Sequence, residues 1–477
     1  MSLALSRAGV EHILIGTDDP PAPVPRLGES IIDTSSPELW RLYGHEFADC
    51  FHYKNHIAYL NGNFSALCHL ASPLRTQKRI SKFAHPDGRK TRYPWFGEAL
   101  FHLDRIKFDR AAYLKARAQK ECHFVVARVT RVEFDAATDR VTRLELDKGA
   151  AIERPRYVFD STGFASPISK AANVKMSPLS VPQRVVWTHY RRDDLEANPP
   201  EWWRGGTNLM RLDREFDGID AMSWLIPLGA TLSVGLSVDQ SSERSNDSDE
   251  DLMERLASAW RRRGVDYVSV FPQQQPIQQL RHSYFVRDRA YGGNWLLVGP
   301  TFITIWFPGS TGLWTVCAAA GMAHRLIENP ELGKFYEKSM RQLTHFHRLL
   351  DHVAHGPIWK SSWQVYHFFG KGGSLIWSRI ADYFRIRDDD YGWFRPSSWL
   401  LNSLELVGRK FPPFMVMFFV FALVRNRLDV HRERQGLPFP LYNRSIPFRL
   451  WNAIRWLPDF LWGLLPRRRR AATLTSG

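Results

Sequence analysis

The sequence predicts an α/β fold, in which a domain built from strands, glycine turns and helices is interrupted by a mixed-sheet domain and followed by a helical region. Three segments place a glycine-bearing turn beside a short apolar strand, namely LSRAGVEHILIG, YVFDSTG and WLLVGPTF. Alternating apolar runs between residues 184 and 238 predict the strands of the interrupting domain. After Glu331 the chain is rich in Trp, Phe and His, and its pattern predicts helices.

Local patterns place the other elements. Residues 3–7 resemble a helix end, with Ala8-Gly9 as the stop, and residues 13–15 form a short buried strand. The chain therefore opens inside a βαβ unit without its first strand. Further helices are predicted at 39–51, 109–120, 250–263 and 313–328. Further strands are predicted at 52–60, 125–134, 141–146, 157–159, 184–190, 221–226, 231–238 and 295–298.

Composition limits the classes of function. The 477 residues are enough for two or three domains, or for one large enzyme core with insertions. Lys and Arg number 64 against 49 Asp and Glu, so the net charge is +15. A basic chain favours anionic partners, such as nucleic acid, membrane lipid or a phosphorylated cofactor. Because no helix-turn-helix, zinc-finger or RNA-recognition pattern occurs, we expect no nucleic-acid partner.

The cysteines and the apolar segments predict a cytoplasmic protein. Cys50, Cys68, Cys122 and Cys317 lie far apart with no CxxC pair, which favours reduced thiols over a metal site or a disulfide framework. The first residues are too weakly apolar for a signal peptide, and the longest apolar run, residues 414–424, is too short to span a bilayer. No metal site is predicted.

Several short motifs together resemble those of flavin-dependent monooxygenases, and among these the flavin-dependent halogenases. The similarity runs from the N-terminus to about Leu326. The matching segments are Arg26 with Gly28-Glu29-Ser30, Leu103-Asp104-Arg105, Asp160-Ser161-Thr162-Gly163, Leu297-Val298-Gly299 and Ser310-Thr311-Gly312. In such proteins, turns of this kind place backbone N–H groups near a cofactor.

The resemblance implies a fold and a cofactor. It implies an FAD-binding three-layer, glutathione-reductase-like domain at residues 1–45, 100–175 and 285–330. An inserted mixed-sheet substrate domain would take residues 46–99 and 176–284, and a helical C-terminal region with a basic tail residues 331–477. The implied FAD-binding residues are Arg26, Gly28, Glu29, Ser30, Arg105, Asp160, Gly163, Gly299, Pro300, Ser310, Thr311 and Gly312.

Two segments concern halogenation itself. Residues 223–228 resemble the second half of the halogenase Trp-x-Trp-x-Ile-Pro motif, so Trp224 and Pro227 are predicted to form a pocket wall; the alternative is a core strand with a buried Trp. Lys54 lies in a segment that resembles the one carrying the halogenase lysine. Its amine would hold and polarise hypohalous acid in a dry tunnel. The alternative is an exposed strand lysine.

The sequence also departs from the family pattern. The first strand and its glycine loop are missing, and Gly16 stands where the ribose-binding acid is expected, with Asp18 or Asp19 as substitutes. Pro300 replaces the aspartate of the Gly-Asp motif, which removes an acceptor and a backbone donor. Met222 replaces the first Trp of the halogenase motif. Two explanations stay open: a misplaced start codon, or a paralogue that kept the fold and lost redox chemistry.

The expected function is that of an FAD-dependent oxidoreductase of the halogenase-like class. By resemblance, it would act on an aromatic or polyene substrate, free or carrier-bound, through a flavin C4a-hydroperoxide, with a separate flavin reductase as partner. Alternatives are a monooxygenase or reductase that uses no halide, and a non-catalytic accessory protein at the inner membrane face. The tail alternates Trp and Arg and ends in Arg467–Arg470, which suits a membrane interface or a cap over the substrate pocket.

Overall fold

The computed structural model describes the protein at residues 1–31, 39, 46–53, 56–60, 101–147, 149–192, 206–212, 214–262, 264–305, 311–338, 340, 341, 344 and 347. The side chains of residues 53, 56–60, 101, 206, 211, 215, 216, 243, 311 and 314 lie outside this description. So do Lys54, Ser310 and the predicted C-terminal tail.

The strands, in chain order, are β1 His12–Gly16, β2 Phe51–Tyr53, β3 His56–Leu60, β4 Phe101–Leu103, β5 Cys122–Val126, β6 Val129–Asp135, β7 Arg140–Leu146, β8 Ala151–Glu153, β9 Val158–Asp160, β10 Met176–Pro178, β11 Gln183–Arg191, β12 Gly206–Leu212, β13 Ala221–Leu228, β14 Thr231–Asp239, β15 Gln273–Gln274, β16 Gln278–His282, β17 Phe285–Arg287, β18 Tyr291–Gly292, β19 Trp295–Leu297 and β20 Ile303–Thr304. The α-helices are α1 Ser2–Arg7, α2 Arg105–Arg117, α3 Pro167–Ala171, α4 Arg214–Asp217, α5 Asp249–Arg261, α6 Tyr267–Val270 and α7 Thr311–Glu328. Short 3-10 helices lie at Ala48–Cys50, Glu243–Asn246 and Gly299–Thr301, and residues 332–338 are helical.

The largest sheet is mixed and has the order β15-β11-β14-β13-β12-β3, with β16 also paired to β11. Its pairings are antiparallel except that of β12 with β3, which is parallel. All eight residues of β13 are buried. Helix α5 packs its apolar side, which includes Leu252, Leu256 and Trp260, into the same core cluster. Ser248 caps this helix by accepting a hydrogen bond from the Asp251 N–H, and three acidic residues follow in its first turn.

Parallel strand pairs form a second core. Strand β1 pairs with β5, and β19 pairs with β9, both in parallel. Strands β6, β7 and β8 form an antiparallel sheet. One buried cluster joins Leu144 of β7, Trp295 and Leu297 of β19, and Ala318 and Met322 of α7. The chain is therefore a mixed α/β protein, as the sequence predicts.

Two predicted strands are wrong in extent, because each is divided between two sheets. The predicted strand 125–134 consists of the end of β5, which pairs with β1, and β6, which pairs with β7. The predicted strand 52–60 contains part of β2, which pairs with β4, and all of β3, which pairs with β12. Each break is only two residues long, Lys54-Asn55 and Ala127-Arg128, and contains no Gly or Pro, so local pattern alone does not mark it.

The opening helix and strand are confirmed. Helix α1 ends at Arg7, Gly9 has a φ of 69°, and β1 follows. Among the described residues, no helix is long and apolar enough to cross a membrane.

Candidate functional site

Two of the predicted glycine turns lie side by side. The turn at residues 160–166 follows β9, and the 3-10 turn Gly299–Thr301 follows β19. Because these strands are parallel neighbours, both turns emerge at the same edge of the sheet. Two hydrogen bonds join them: the Gly163 N–H donates to Thr301 Oγ1 at 2.9 Å, and the Val298 N–H donates to the Asp160 carbonyl at 2.8 Å.

Asp160 shapes its own turn. Its carboxylate is buried and accepts hydrogen bonds from the Thr162 N–H, the Thr162 hydroxyl and the Ser166 hydroxyl at 2.6–2.9 Å. Gly163 has a φ of 69°, and no atom lies within 4 Å of the point where a Cβ would stand. The side chain of Asp160 therefore folds the turn, and Gly163 leaves open space beside it.

Gly299 lets its turn approach helix α7 closely. Its φ is 54°, and a Cβ there would lie 2.7 Å from Val316 Cγ2 and 3.1 Å from Thr315 Oγ1. The Gly299 N–H donates to the Tyr336 hydroxyl at 2.9 Å. Tyr336 is fully buried, and burial raises the pKa of its hydroxyl. Pro300 follows in the turn and contributes neither a carboxylate nor an N–H.

Helix α7 begins at the predicted small-residue turn. Thr311 is its first residue, and the Gly312 carbonyl accepts a hydrogen bond from the Thr315 hydroxyl at 2.7 Å. No atom lies within 4 Å of a Cβ placed on Gly312. The structure thus brings Thr315 and Val316, near the start of α7, next to Gly299.

Arg26, Gly28 and Arg105 lie together in a second group. Gly28 has a φ of 88°, and a Cβ there would be 2.8 Å from Arg105 Nη1. Arg105 donates to the Leu27 carbonyl and makes two hydrogen bonds to the Asp109 carboxylate, each at 2.9 Å. Arg26 Nε lies 3.8 Å from Asp109 Oδ2 and is buried without a hydrogen-bond partner among the described residues.

Glu29 and Ser30 face the large sheet. Glu29 Oε1 lies 2.7 Å from His189 Nε2 of β11. Burial lowers the pKa of His189, but the Glu29 charge and hydrogen bond outweigh this effect, so the pKa is raised overall. The Ser30 hydroxyl is 2.8 Å from the Thr207 hydroxyl of β12. These two motif side chains therefore connect the motif segment to the large mixed sheet.

His102 extends this buried network, and sequence reasoning missed it together with His189. Its ring nitrogens lie 2.8 Å from Thr207 Oγ1 and 2.7 Å from the Pro227 carbonyl. His102 also forms a β-bridge with Ser30. The sequence signal for His102 was its position directly before Leu103. Nothing local marks His189, because its partner is 160 residues away.

Trp224 and Pro227 both lie on β13. Trp224 is 3% exposed, and its Nε1 donates to the Ser233 hydroxyl at 3.3 Å. Its ring covers Gly235, where a Cβ would lie 2.2 Å from the ring. This is the geometry of a buried strand tryptophan, and a role as pocket wall stays a prediction.

The remaining predicted residues are divided between described and undescribed parts of the chain. Asp18, one candidate ribose ligand, pairs with Arg117 at 3.1 Å and is largely exposed, and Asp19 is also exposed. Lys54 and Ser310 lie outside the described residues, as does the side chain of Thr311.

No known protein family and no curated protein matches this sequence. Solved structures do match. The flavin-dependent brominase Bmp2 has a TM-score of 0.58 at 15% identity, covering 86% of this chain and 96% of its own. A flavin-dependent halogenase from Xanthomonas campestris has a TM-score of 0.56 at 15% identity, covering 96% and 92%. Halogenase PltM has a TM-score of 0.58 at 13% identity, covering 98% and 94%, and a PltM variant was solved with FAD. Over most of its length, this chain has the fold of the flavin-dependent halogenases.

Proposed function

We propose that the protein is an FAD-dependent oxidoreductase of the halogenase-like class that acts on an electron-rich aromatic or polyene substrate. The observation that carries the proposal is the hydrogen bond between the two glycine turns that follow β9 and β19. In it, the Gly163 N–H donates to Thr301 Oγ1. Glycine turns at such an edge are a general site for binding nucleotide cofactors. The similarity of the fold to flavin-dependent halogenases also supports binding of FAD.

The described residues fit FAD in three respects. Gly163 and Gly312 leave open space where side chains would stand, so a flat ring can approach the backbone. Gly28 adopts a positive φ, and Arg105 Nη1 occupies the place where a side chain at residue 28 would stand, so the motif glycine and the motif arginine lie together. Arg26 Nε is a buried donor whose ion-pair partner, Asp109 Oδ2, lies 3.8 Å away, so it has no hydrogen-bond partner among the residues described and can donate to an anionic group. These residues, with Gly299, would hold the cofactor.

FAD supplies two-electron redox chemistry and the activation of O2. The protein's own part is to orient it, exclude water and hold the reacting groups. In this proposal Thr311 and Gly312, with Ser310, line the halide position. The Lys54 amine would hold hypohalous acid while a substrate carbon attacks the halogen. The new carbon–halogen bond forms as the oxygen–halogen bond breaks, and the departing hydroxide combines with the proton that the substrate carbon loses to give water. A separate flavin reductase supplies the reduced cofactor, and the substrate is free or carrier-bound.

The proposed domain division follows the same reasoning. Residues 1–45, 100–175 and 285–330 form the three-layer FAD domain, and residues 46–99 and 176–284 form the substrate domain. The parallel pairs β1–β5 and β9–β19 support the first, and the mixed sheet that contains β11–β14 supports the second. Residues 331–477 form the helical C-terminal region.

The first experiment is FAD binding to the purified protein, followed by visible absorption and by quenching of flavin fluorescence. Flavin bands and saturable binding are the expected result. The proposal is overturned if FAD binds neither to residues 1–477 nor to a form that includes any in-frame upstream extension.

Lys54→Ala tests the halogenating step. We expect halogenated product to disappear while oxidation of reduced FAD by O2 continues. Lys120→Ala is the matched control, because the Lys120 side chain is 90% exposed on the surface. If Lys54→Ala leaves halogenation unchanged, the lysine assignment is wrong. If the wild type converts substrate to an oxygenated or reduced product without halide, the monooxygenase or reductase alternative is favoured.

One observation favours a second candidate, a non-catalytic accessory protein that kept the fold. Pro300 offers neither a carboxylate nor an N–H in the turn that follows β19. This candidate predicts no flavin binding. Its membrane component predicts liposome flotation that depends on residues 446–477, and equal soluble recovery with and without this segment would argue against it.

A further inference from the structure

Arg287, at the end of β17, hydrogen-bonds both glycine turns. Its Nε donates to the Thr301 carbonyl at 2.8 Å, and its Nη2 donates to the Phe164 carbonyl at 3.0 Å. The residue is 6% exposed. Thr301 belongs to the turn after β19, and Phe164 belongs to the turn after β9. One buried guanidinium therefore spans the two turns.

Packing and charge keep the guanidinium in this position. It lies over the Phe285 ring, 5.4 Å from the centroid. The Asp160 carboxylate interacts with it electrostatically. The main chain of Arg287 is also fixed, because its N–H donates to the Phe302 carbonyl at 3.0 Å and its carbonyl accepts from Arg341 Nη2 at 3.3 Å.

The two contacts require an arginine. Its planar guanidinium has donors in a rigid fork, so Nε and Nη2 can reach carbonyls on different segments at the same time. A lysine ammonium is a compact group on a flexible stem and does not reproduce this fork. Arg287→Lys therefore keeps the charge and removes the bridge.

The bridge compensates for a weakness in the second turn. Pro300 removes one backbone donor and the carboxylate that the family motif has at this position. Among the described residues, the polar contacts between the two turns are then the Gly163–Thr301 and Val298–Asp160 hydrogen bonds and the Arg287 bridge.

We propose that Arg287 is a positioning residue that sets the spacing of the two glycine turns and thereby the affinity for FAD. The inference rests on the proposed function and adds a residue that neither the motifs nor the resemblance identified. Arg287 acts through the backbone of residues 163–164 and 299–301, and not through contact with the reacting atoms.

Arg287→Lys tests this role, with Arg289→Lys as the matched control. Arg289 is two residues away and partly buried; it binds Asp139 at 2.8 Å and packs over the Trp295 ring at 4.9 Å, away from both turns. The first readout is hydrogen exchange at the Gly163 amide in cofactor-free protein. The second is the FAD dissociation constant from fluorescence quenching.

For Arg287→Lys we expect faster exchange at Gly163 and FAD binding weaker by about tenfold or more, since a charge-assisted hydrogen bond is lost. Arg289→Lys should leave both near wild-type values. Equal exchange, or equal FAD affinity, in the two variants overturns the role of Arg287. If Arg287→Lys does not fold, Arg287→Gln, whose amide can donate to one of the two carbonyls but not bridge both, must show faster Gly163 exchange and weaker FAD binding than Arg289→Gln for the inference to stand.

The two proposals fail in different ways. If the wild type binds no FAD, the proposed function falls and the affinity role of Arg287 falls with it. If the wild type binds FAD and Arg287→Lys binds it equally well, only the positioning role is wrong.

Discussion

Glu29 and His189 form a buried pair, in which Oε1 and Nε2 are 2.7 Å apart and each side chain is 2% exposed. Glu29 belongs to the Gly-Glu-Ser segment near the N-terminus, and His189 lies on β11 of the large sheet. The pair therefore connects the Gly-Glu-Ser segment, which is predicted to bind the cofactor, to the large sheet of the predicted substrate domain.

We expect Glu29→Gln to lower the free energy of unfolding by about 1–3 kcal/mol, because a charge-assisted buried hydrogen bond becomes a neutral one. Urea unfolding followed by circular dichroism measures this change. His189→Gln and the double variant complete a mutant cycle, and additive losses would show that the two residues do not interact.

The same pair predicts a pH dependence. The pKa of His189 is raised, against the effect of burial, by the Glu29 charge and hydrogen bond, with a smaller effect from Asp104. A raised histidine pKa stabilises the folded state fully below the unfolded value of about 6.5, and this stabilisation is lost as pH rises through the folded value. Wild-type stability should therefore fall as the pH rises above about 6.5. The fall should be smaller in Glu29→Gln, and an equal fall in both proteins would contradict this assignment.

Tyr336→Phe should weaken FAD binding. The variant leaves the Gly299 N–H buried without its acceptor, at a cost of about 1–3 kcal/mol. Tyr284→Phe is the control, because Tyr284 is also buried and its hydroxyl binds Gln183 at 2.9 Å, away from the turns. Thermal unfolding should show comparable losses of stability in the two variants. Fluorescence titration with FAD should show a loss of affinity only in Tyr336→Phe. Equal affinities of the two variants for FAD would show that the Tyr336 hydroxyl does not support FAD binding through Gly299.

Gly235→Ala should destabilise the large sheet by about 1–3 kcal/mol through overpacking. The new Cβ would stand 2.2 Å from the Trp224 ring and 2.6 Å from Trp187 Cβ, so the Trp224 side chain must move. Ser233→Ala, which removes only the Trp224 hydrogen bond, should cost less. Near-ultraviolet circular dichroism and urea unfolding report the two effects. An unchanged tryptophan spectrum in Gly235→Ala would show that the described packing is wrong.

Cys50 should resist alkylation in the folded protein. Burial, with a further contribution from Asp104, raises the pKa of its thiol to about 11, so little thiolate forms near neutral pH. Iodoacetamide treatment followed by peptide mass spectrometry should find Cys50 labelled quickly only in denaturant. Rapid labelling of Cys50 without denaturant would contradict its described burial.

Local pattern predicted much of the fold. The helix and strand at the N-terminus, the strands β11, β13 and β14, and the two turns after β9 and β19 each follow from a periodicity or a glycine within a few residues. These features depend on contacts between near neighbours in the chain, which a sequence displays directly.

Local pattern failed where the chain changes sheets without a turn residue. The breaks at Lys54-Asn55 and Ala127-Arg128 are short and contain no Gly or Pro, so residues 52–60 and 125–134 each resemble one strand. The partners of the separate halves are distant, as in β3 with β12. Pairing with a distant strand is decided by the whole sheet, and a local window does not contain it.

The sequence by itself determined the motif order, and with it the resemblance to flavin-dependent halogenases and the set of residues expected near FAD. Only the tertiary structure decided what these side chains touch. Glu29 binds His189 and Arg105 binds the Leu27 carbonyl, while Arg287 bridges two turns more than 120 residues apart. The physical reason is that a buried polar group must find a hydrogen-bond partner, and that partner is supplied by whichever segment the fold brings near.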